Sequence, residues 1–480
     1  MRANLKITQT FWTANKSLLE NGFGWPHPQY HLMSWALSCL SLRKSYDNVV
    51  LYTDSNGYKV FIELLKLPYT EVVVQYDDLR CPDIHWAYPK MLTYSLQAEP
   101  FIHVDGDVYL PHRLDASIES GGLIAQNVEM GTQYYKNMMN DLLRRNYRMP
   151  EFLHKVLERD LIPSYNAGFL GGNDLEFIQE YCRIAFRFIE DNGLLDYHSR
   201  NLGVNNNLLF EQTLFAALAE ERGKEVASVL GYVVPDNGYD YHRFCDFYRF
   251  EDVKFLHLLG GHKRNQRACE LLGKTLLDRY PDYYRRIVEL FPQNNKRLGG
   301  IKQELPDMTV QQCIALYQDY LCDRIAEWKE LPNETLYDWE HRLSSYSHFI
   351  NANREQQAVC KVGKNPYASV FEIPSHWPDL AKHLLKERVS RERCGRNADV
   401  VCVPCLLGEG YREALLSDWG YNILALLENE MSFEVLLAEL CSTLSSEIRD
   451  NGEGVYRSML AELEYLCYNG IVYVKLESEK

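Results

Sequence analysis

The first half of the chain alternates short apolar runs, rich in β-branched residues, with segments whose apolar residues recur at helical spacing. Residues 6–12, 47–54, 71–76, 227–234 and 253–259 are predicted strands, and residues 29–42 are a predicted helix. Strands that alternate with helices indicate a parallel sheet covered by helices on both faces. The pattern therefore predicts an α/β fold with a mostly parallel, Rossmann-like sheet.

The pattern changes near residue 265, where long amphipathic helices replace the alternation. Residues 269–291, 309–331 and 335–357 are predicted helices, and Pro374 and Pro378 precede a further segment. That segment predicts three helices and a closing strand, at 419–427, 432–440, 455–467 and 469–474. We therefore predict three domains: an α/β domain over 1–265, a helical region over 266–375, and a small α+β domain over 376–480.

Two carboxylates flank a glycine directly after the apolar run at residues 101–104. Asp105 and Asp107 point to the same side if the strand continues through them, and Gly106 leaves room for a ligand beside the backbone. Hard oxygen ligands beside an open space suit a divalent cation that carries a diphosphate. A solvated turn is the alternative, because Asp-x-Asp alone is expected by chance in a chain of this length.

Other polar residues follow predicted strands or open predicted helices, where ligands of parallel sheets gather. Asp54 is a candidate nucleotide contact, or else a cap of the turn that follows it. Lys90, at the N-terminal end of a predicted helix, is either a basic residue of the site or a surface lysine. Asn166 offers a donor and an acceptor to sugar hydroxyls, and its alternative is a tight strand-turn element.

Two further segments complete the set of candidates. Glu211 and Gln212 lie in the first turns of a predicted amphipathic helix. His257 leaves a predicted strand, Gly260 belongs to a glycine pair that permits a sharp bend, and Lys263 follows. Imidazole is a good ligand for a cation such as Mn²⁺, and lysine is a compact positive charge for phosphate. These residues are therefore candidates for a metal and phosphate site.

Length, charge and cysteine content narrow the classes of function. A net charge of −15 disfavours nucleic acid as the main partner, because phosphate backbones reward basic surfaces. No apolar run approaches the roughly 20 residues that span a bilayer, and the N-terminus carries no apolar signal core. The 13 scattered cysteines fit reduced thiols. We therefore expect a soluble, cytoplasmic protein.

The order of four motifs carries a resemblance. Asp-x-Asp after a strand, Asn-x-Gly, an acidic-Gln pair and His-x-x-Gly-x-x-Lys together resemble the glycogenin-like, retaining glycosyltransferases of GT-A fold, over residues 1–265. The resemblance implies a hexosyltransferase that takes a nucleotide-sugar donor, expected to be a UDP-sugar, with Mn²⁺ or Mg²⁺ as cofactor. It also implies that Asp105, Asp107 and His257 hold the metal.

The same resemblance implies roles for the remaining candidates. Gly260 and Lys263 would hold the donor diphosphate, and Lys90 would match the family's basic residue before the metal strand. The donor sugar and the reaction centre would be lined by three polar residues, Asn166, Glu211 and Gln212. Glu211 is the candidate carboxylate for positive charge on the sugar. The family usually continues after the lysine with Pro-Trp, where this chain has Arg264-Asn265.

Residues 395–476 resemble a second kind of module. Their order of three helices and a strand is similar to the PqqD-like winged-helix modules that bind leader peptides of ribosomally made peptides. Such modules add the leader as a strand to a sheet edge, so the resemblance implies a peptide acceptor recruited by this domain. A purely structural domain on a glycan-assembly glycosyltransferase is the alternative. DNA binding is disfavoured because residues 413–465 are rich in acidic side chains.

Two other classes of protein fit part of the pattern. A nucleotidyltransferase also uses paired aspartates on a parallel sheet, but it would release pyrophosphate instead of a nucleoside diphosphate. A non-catalytic protein that binds a peptide or glycan would keep the fold without the chemistry. The joint presence of Asp105, Asp107, His257 and Lys263 argues against this last class.

Overall fold

The computed structural model describes residues 5–131, 147–196, 206–235, 238–291, 308–375, 377–390, 393, 399–407, 410–444 and 452–476. The chain divides into two compact units, Met1–Cys269 and Glu270–Lys480. None of the helices in the described segments combines the length and the apolar character needed to cross a lipid bilayer.

The first unit is built around a seven-stranded sheet. The strands of this unit are β1 Lys6–Phe11, β2 Asn48–Thr53, β3 Glu71–Val74, β4 Phe101–Val104, β5 Val108–Tyr109, β6 Leu123–Ala125, β7 Val128–Gly131, β8 Ile162–Tyr165, β9 Phe169–Gly172, β10 Val226–Ser228, β11 Val234–Pro235 and β12 Leu256–His257.

The strand order of the large sheet is β10-β6-β9-β4-β1-β2-β3. Its pairs are parallel except on the two sides of β9, which runs antiparallel to β4 and to β6. Two smaller sheets have the orders β11-β7-β8 and β12-β5. The predicted α/β class with a mostly parallel sheet is confirmed.

Helices cover this sheet because their apolar residues face it. In the helix Leu175–Asp191, Asp174 caps the N-terminus through the Phe177 amide, and the buried residues recur at helical spacing. The α-helices of the unit are Pro28–Ser45, Ser55–Tyr58, Tyr88–Ser95, Ala116–Glu119, Glu151–Leu157, Leu175–Asp191, Leu214–Glu221 and Tyr241–Phe244. Lys59–Leu64 and Leu208–Thr213 are π-helical, and Phe247–Asp252 and His262–Arg264 are 3-10 turns.

Two strands of the first unit are shorter than the sequence predicts. The strand predicted over 253–259 is reduced to Leu256–His257, because its antiparallel partner β5 extends only over Val108–Tyr109. The run around residues 227–234 forms two short strands, Val226–Ser228 and Val234–Pro235, which belong to different sheets. Local apolar pattern predicted where these strands lie but overestimated their length.

The second unit combines helices with two three-stranded sheets. Its helices are Gln266–Arg279, which begins before residue 270, and Pro281–Glu289, Met308–Lys329, Asn333–Ser344, Tyr346–Ile350, Arg354–Val359, Asp379–Val389, Asp418–Leu426, Phe433–Thr443 and Gly452–Tyr468. Its strands are β13 Lys361–Lys364, β14 Ser369–Phe371, β15 Asp399–Pro404, β16 Tyr411–Leu416, β17 Met431–Ser432 and β18 Val472–Lys475.

The strands of this unit pair across long stretches of sequence. The sheet orders are β17-β13-β18 and β14-β15-β16, and Tyr317, Trp377, Val400 and Leu415 share one apolar core. The predicted division of this unit at residue 375 stays a prediction, although β13 and β14 pair with strands that lie beyond it. The predicted order of three helices and a closing strand is present from Asp418 to Lys475.

Candidate functional site

Asp105 and Asp107 lie on a tight turn at the carboxyl end of β4. The strand ends at Val104, and the Val108 amide donates to the Asp105 carbonyl oxygen at 3.1 Å. The two carboxylates therefore converge because the chain turns, and not because they alternate along a strand. The expectation that Gly106 leaves room for a ligand is wrong, because a Cβ there would lie 2.3 Å from the Trp35 indole.

Antiparallel pairing of β5 with β12 brings His257 to these carboxylates. His257 lies opposite Val108, and the Leu258 amide donates to the Asp107 carbonyl oxygen at 3.0 Å. The His257 Nε2 atom lies 3.3 Å from Asp107 Oδ1. Ligand atoms of Asp105, Asp107 and His257 all lie within 4.8 Å of one another. The predicted metal ligands are thus close enough together to hold one cation.

Lys263 follows His257 through a turn that contains Gly260, whose φ is +53°. The Lys263 Nζ lies 2.7 Å from Asp107 Oδ2. Burial by itself would raise the pKa of Asp107, but the neighbouring Lys263 ammonium group holds that pKa below its ordinary value. Asp107 is therefore an ionised carboxylate with a lysine and an imidazole beside it.

Lys90 connects Asp105 to Glu211. Its Nζ lies 2.9 Å from Asp105 Oδ1 and 2.9 Å from Glu211 Oε1, and the residue is only 6% exposed. The alternative of a surface lysine is therefore wrong. Burial would lower the pKa of Lys90, but the two carboxylates raise it above its ordinary value. The Lys90 Nζ also lies 5.3 Å from the ring centroid of Trp86, which is 45% exposed.

Glu211 is fully buried on the π-helical segment Leu208–Thr213. The Tyr94 hydroxyl donates to its Oε1 at 3.0 Å, and its Oε2 has no hydrogen-bond partner among the described residues. Burial raises the pKa of Glu211, and Lys90 opposes that rise. The adjacent Gln212 is also buried, and its Oε1 has no partner within the described segments. Segments with π-helical turns are frequent at functional sites.

Asn207 holds the two helical elements of this cluster together. Its Oδ1 accepts from the Ala87 amide at 3.0 Å, and its Nδ2 donates to the Ile84 carbonyl oxygen at 2.7 Å. These bonds tie the segment before the Lys90 helix to the start of the segment that carries Glu211. Sequence reasoning did not assign Asn207 a role, because nothing local indicates a partner 120 residues away.

Asn166 lies on the turn between β8 and β9. Its Nδ2 donates to Glu129 Oε1 at 2.8 Å and to the Tyr239 hydroxyl at 3.0 Å, while its Oδ1 accepts from the Gly168 amide at 2.9 Å. The Gly168 carbonyl oxygen in turn accepts from the Asp105 amide at 3.0 Å. The alternative interpretation of Asn166, as part of a tight strand-turn element, describes these hydrogen bonds. The contact of Asn166 with a sugar stays a prediction.

Asp54 caps the turn that follows β2. Its carboxylate accepts from the Gly57 amide at 2.8 Å, and from the Thr13 amide and hydroxyl at 2.8 and 2.6 Å. The capping alternative describes these hydrogen bonds. Its contact with a nucleotide stays a prediction.

Gln126 is a residue of this region that sequence reasoning missed. Its Oε1 lies 2.7 Å from His257 Nδ1, the ring nitrogen that does not face Asp107. Gln126 and Asn127 follow the apolar run of β6, which is the same strand-end signal that pointed to Asp105. The signal was available, but an amide pair is less conspicuous than a carboxylate pair.

Comparison with known proteins gives one family and several distant folds. A family model described as a family of unknown function, DUF6734, matches residues 5–290. No curated protein matches the sequence. Among solved structures, the glycosyltransferase GlyE of Streptococcus pneumoniae TIGR4 is 11% identical with a TM-score of 0.30, over 60% of this chain and 64% of that chain. This chain thus spans less than two thirds of the GlyE structure.

Two further structures are similar at the same level. Mouse xyloside xylosyltransferase 1 in its apo form is 12% identical, with a TM-score of 0.28, over 53% of this chain and 97% of that one. The galactosyltransferase LgtC, in complex with donor and acceptor sugar analogues, is 14% identical, with a TM-score of 0.26, over 62% and 98%. All three are glycosyltransferases. The likeness is distant, so any function has to be argued from the site itself.

Proposed function

The chain belongs to DUF6734, a family of unknown function, and we propose that it is a metal-dependent glycosyltransferase that transfers a sugar from a nucleotide-sugar to an acceptor. The observation that supports this proposal most is the convergence of two carboxylates, an imidazole and two lysines at one end of the sheet. Parallel sheets bind their ligands at this end. The charges of the group match a cation and a diphosphate together.

The ligand set fits a divalent cation. Asp105 and Asp107 offer carboxylate oxygens, and His257 directs Nε2 toward them while Gln126 occupies its other ring nitrogen. Two hard oxygens with one imidazole nitrogen suit Mn²⁺, and Mg²⁺, which prefers oxygen ligands, is the second choice. Such a cation, when bound, supplies positive charge for the negative charge that develops on a departing nucleoside diphosphate.

Lys263 is assigned to the diphosphate. Its side chain is 25% exposed, and its Nζ has a carboxylate oxygen of Asp107 as a partner. A phosphate oxygen can replace that partner, since both are anionic acceptors for an ammonium group. Lys263 then donates to the leaving group as its negative charge grows, which is where a fixed donor lowers the barrier. Gly260 is assigned to the turn that brings the backbone close to the same phosphates.

Lys90 and Glu211 are assigned to the sugar side of the site. Lys90 places an ammonium group between the carboxylates of Asp105 and Glu211, and it opposes the rise that burial causes in the pKa of Glu211. Glu211 supplies negative charge for a sugar centre that becomes positive in the transition state. Gln212 offers its Oε1 to a sugar hydroxyl, and Asn166 and Asp54 are assigned to the sugar and the nucleotide respectively. The expected enzyme is a retaining hexosyltransferase that uses a UDP-sugar.

The acceptor is proposed to be a ribosomally made peptide that the second unit recruits. In its first sheet, β17 and β18 are the two edge strands. An extended peptide can add to such an edge as a further strand. If the second unit is purely structural, the same catalytic site would serve in glycan assembly.

The variant Asp107→Asn tests the metal assignment. It removes a negative ligand, so we expect Mn²⁺-dependent binding of UDP by calorimetry, and release of UDP from UDP-sugars, to fall about 100-fold or more. Asp174→Asn is the matched control, because Asp174 also pairs with a lysine, Lys224, at 2.6 Å, and asparagine still caps its helix.

The products separate the proposed activity from its rivals. Wild-type activity in Asp107→Asn would contradict the metal assignment. Release of pyrophosphate would indicate a nucleotidyltransferase, and a wild-type protein that binds no nucleotide with Mn²⁺ would indicate a binding protein. Proton NMR of the product anomer tests retention, which a product of inverted configuration would contradict.

A further inference from the structure

A buried chain of hydrogen bonds leads from His257 to a carboxylate on β7. The His257 Nδ1 lies 2.7 Å from Gln126 Oε1, and Gln126 Nε2 lies 3.0 Å from Asn127 Oδ1. Asn127 Nδ2 lies 3.1 Å from the Tyr239 hydroxyl, which also contacts Glu129 Oε1. All five residues are at most 8% exposed. Polar groups buried to this extent are almost always hydrogen-bonded, and here they are bonded to one another.

The Glu129 carboxylate determines which group donates and which accepts in each hydrogen bond of this series. A carboxylate only accepts, so the single hydroxyl proton of Tyr239 points to Glu129, and burial raises the pKa of Tyr239, which keeps that proton in place. The Tyr239 oxygen then accepts from Asn127 Nδ2. The same Nδ2 also donates to the Val128 carbonyl oxygen at 3.1 Å, which confirms the orientation of the amide.

The orientation of the Asn127 amide fixes that of the Gln126 amide, which in turn fixes the ring nitrogen of His257 that carries the hydrogen. Because Asn127 turns its Oδ1 toward Gln126, Gln126 donates through Nε2 and therefore presents Oε1 to His257. An amide oxygen accepts, so the hydrogen of a neutral imidazole lies on Nδ1. The Nε2 atom, 3.3 Å from Asp107 Oδ1, is left with its lone pair.

We propose that Gln126 is a positioning residue that holds His257 in the tautomer whose Nε2 lone pair faces Asp105 and Asp107. The inference rests on the proposed metal site, because only a cation there would use that lone pair. In the other tautomer, Nε2 would donate its hydrogen to Asp107 and could not bind a cation. A hydrogen bond that fixes the tautomer of a metal-binding histidine typically changes metal affinity about 10- to 100-fold.

The turn at Gly168 closes the space around this contact. A Cβ on Gly168 would lie 2.2 Å from Gln126 Oε1 and 2.7 Å from His257 Cε1. Asn166 connects the same turn to this series of hydrogen bonds. Its Oδ1 accepts from the Gly168 amide, and its Nδ2 donates to Glu129 Oε1 and to the Tyr239 hydroxyl. The glycine is therefore required by the close approach of the glutamine–histidine pair.

The tautomer can be measured without metal or substrate. In the EDTA-treated full chain labelled with ¹⁵N-histidine, long-range ¹H–¹⁵N NMR distinguishes hydrogen on Nδ1 from hydrogen on Nε2, and a His257→Asn variant assigns the signals. We expect Nδ1–H in the wild type and in Gln126→Glu, whose carboxylate still accepts. We expect Gln126→Leu to populate Nε2–H, because leucine cannot accept.

Metal affinity is the second readout. Titration of Mn²⁺ alone, followed by its electron paramagnetic resonance signal, is expected to show binding about 10- to 100-fold weaker in Gln126→Leu than in the wild type. Gln126→Glu should bind more tightly than Gln126→Leu. Gln97→Leu is the matched control, because Gln97 is also buried in this unit and donates to the Thr93 carbonyl oxygen at 2.7 Å. It should keep both the tautomer and the affinity of the wild type.

The outcomes separate this inference from the proposed function. Nε2–H in the wild type, or an unchanged Nδ1–H in Gln126→Leu, overturns the inference even if Mn²⁺ binds. A wild type that shows Nδ1–H but binds no Mn²⁺ overturns the proposed function. If Gln126→Leu does not fold, the wild-type signal and Gln126→Glu decide, since loss of Nδ1–H in Gln126→Glu also overturns the inference.

Discussion

Replacement of Lys90 by methionine would leave two carboxylates close together with no cation between them. Lys90 Nζ lies 2.9 Å from both Asp105 Oδ1 and Glu211 Oε1, and Glu211 is 0% exposed. Methionine keeps the length and apolar character of the lysine stem, so packing changes little. Removal of one partner from a buried ion pair typically costs about 3–5 kcal/mol, and we expect a loss of that size in the free energy of unfolding near pH 8.

The loss should depend on pH in a defined direction. Burial raises the pKa of Glu211, and Lys90 is the largest influence that lowers it. Without Lys90, the folded-state pKa of Glu211 rises further above its unfolded value. A carboxyl with a raised folded pKa contributes stability below its unfolded pKa, and this contribution is lost as pH rises through the folded pKa. The deficit of Lys90→Met relative to wild type should therefore shrink from pH 8 to pH 5.

Urea unfolding in EDTA, followed by tryptophan fluorescence at pH 8 and pH 5, measures this effect. Glu211→Gln combined with Lys90→Met should recover about 2 kcal/mol relative to Lys90→Met alone, because the uncompensated charge is gone. Lys224→Met is the matched control. Its partner is Asp174 and its side chain is 45% exposed, so the expected loss is much smaller than that of Lys90→Met.

Three results would refute the reasoning. A loss below about 1 kcal/mol at pH 8 would show that Lys90 does not compensate buried charge. An equal loss at pH 8 and pH 5 would show that Glu211 does not titrate in the folded variant. A double variant as unstable as Lys90→Met would show that the loss comes from packing.

Two further predictions concern the acceptor. Trp86 is 45% exposed beside Lys90, and we expect it to stack on a ring of the acceptor. Trp86→Ala should therefore raise the KM for an acceptor about tenfold, while Trp86→Phe stays near wild type. A larger effect on donor hydrolysis than on transfer would contradict this role. A chain shortened to residues 1–290, which ends where the family match ends, should keep donor hydrolysis. It should lose transfer to a peptide that the full chain glycosylates. Equal transfer by both chains would contradict the recruitment role of the second unit.

Most residues of the candidate site could be predicted from the sequence because they lie at the ends of predicted strands. Asp105, Asp107 and His257 each follow a short apolar run, and the structure brings them together as one group of ligands. Lys263 was predicted because a lysine that follows the histidine and the glycine pair offers a compact positive charge for phosphate. This succeeded because apolar alternation is local, and because strand ends in a mostly parallel sheet meet at one edge.

The structure differed from the sequence-based predictions at contacts that depend on long-range packing. A sequence does not show that Trp35 fills the space at Gly106, or that Lys90 is enclosed by Asp105 and Glu211. Gln126 could have been noticed as a polar residue after β6, but its partner is 131 residues away. Such contacts depend on which elements pack together, and no local pattern encodes that pairing.

Asp107 shows most clearly which properties of a residue come from the sequence and which come from the tertiary structure. The sequence by itself determined its residue type, its place after an apolar strand and the chemistry of its carboxylate. Only the tertiary structure decided that β5 pairs with β12, which places His257 and Lys263 on either oxygen of that carboxylate. The physical reason is that side-chain chemistry is intrinsic to a residue, whereas its neighbours and its pKa follow from strand pairing and burial.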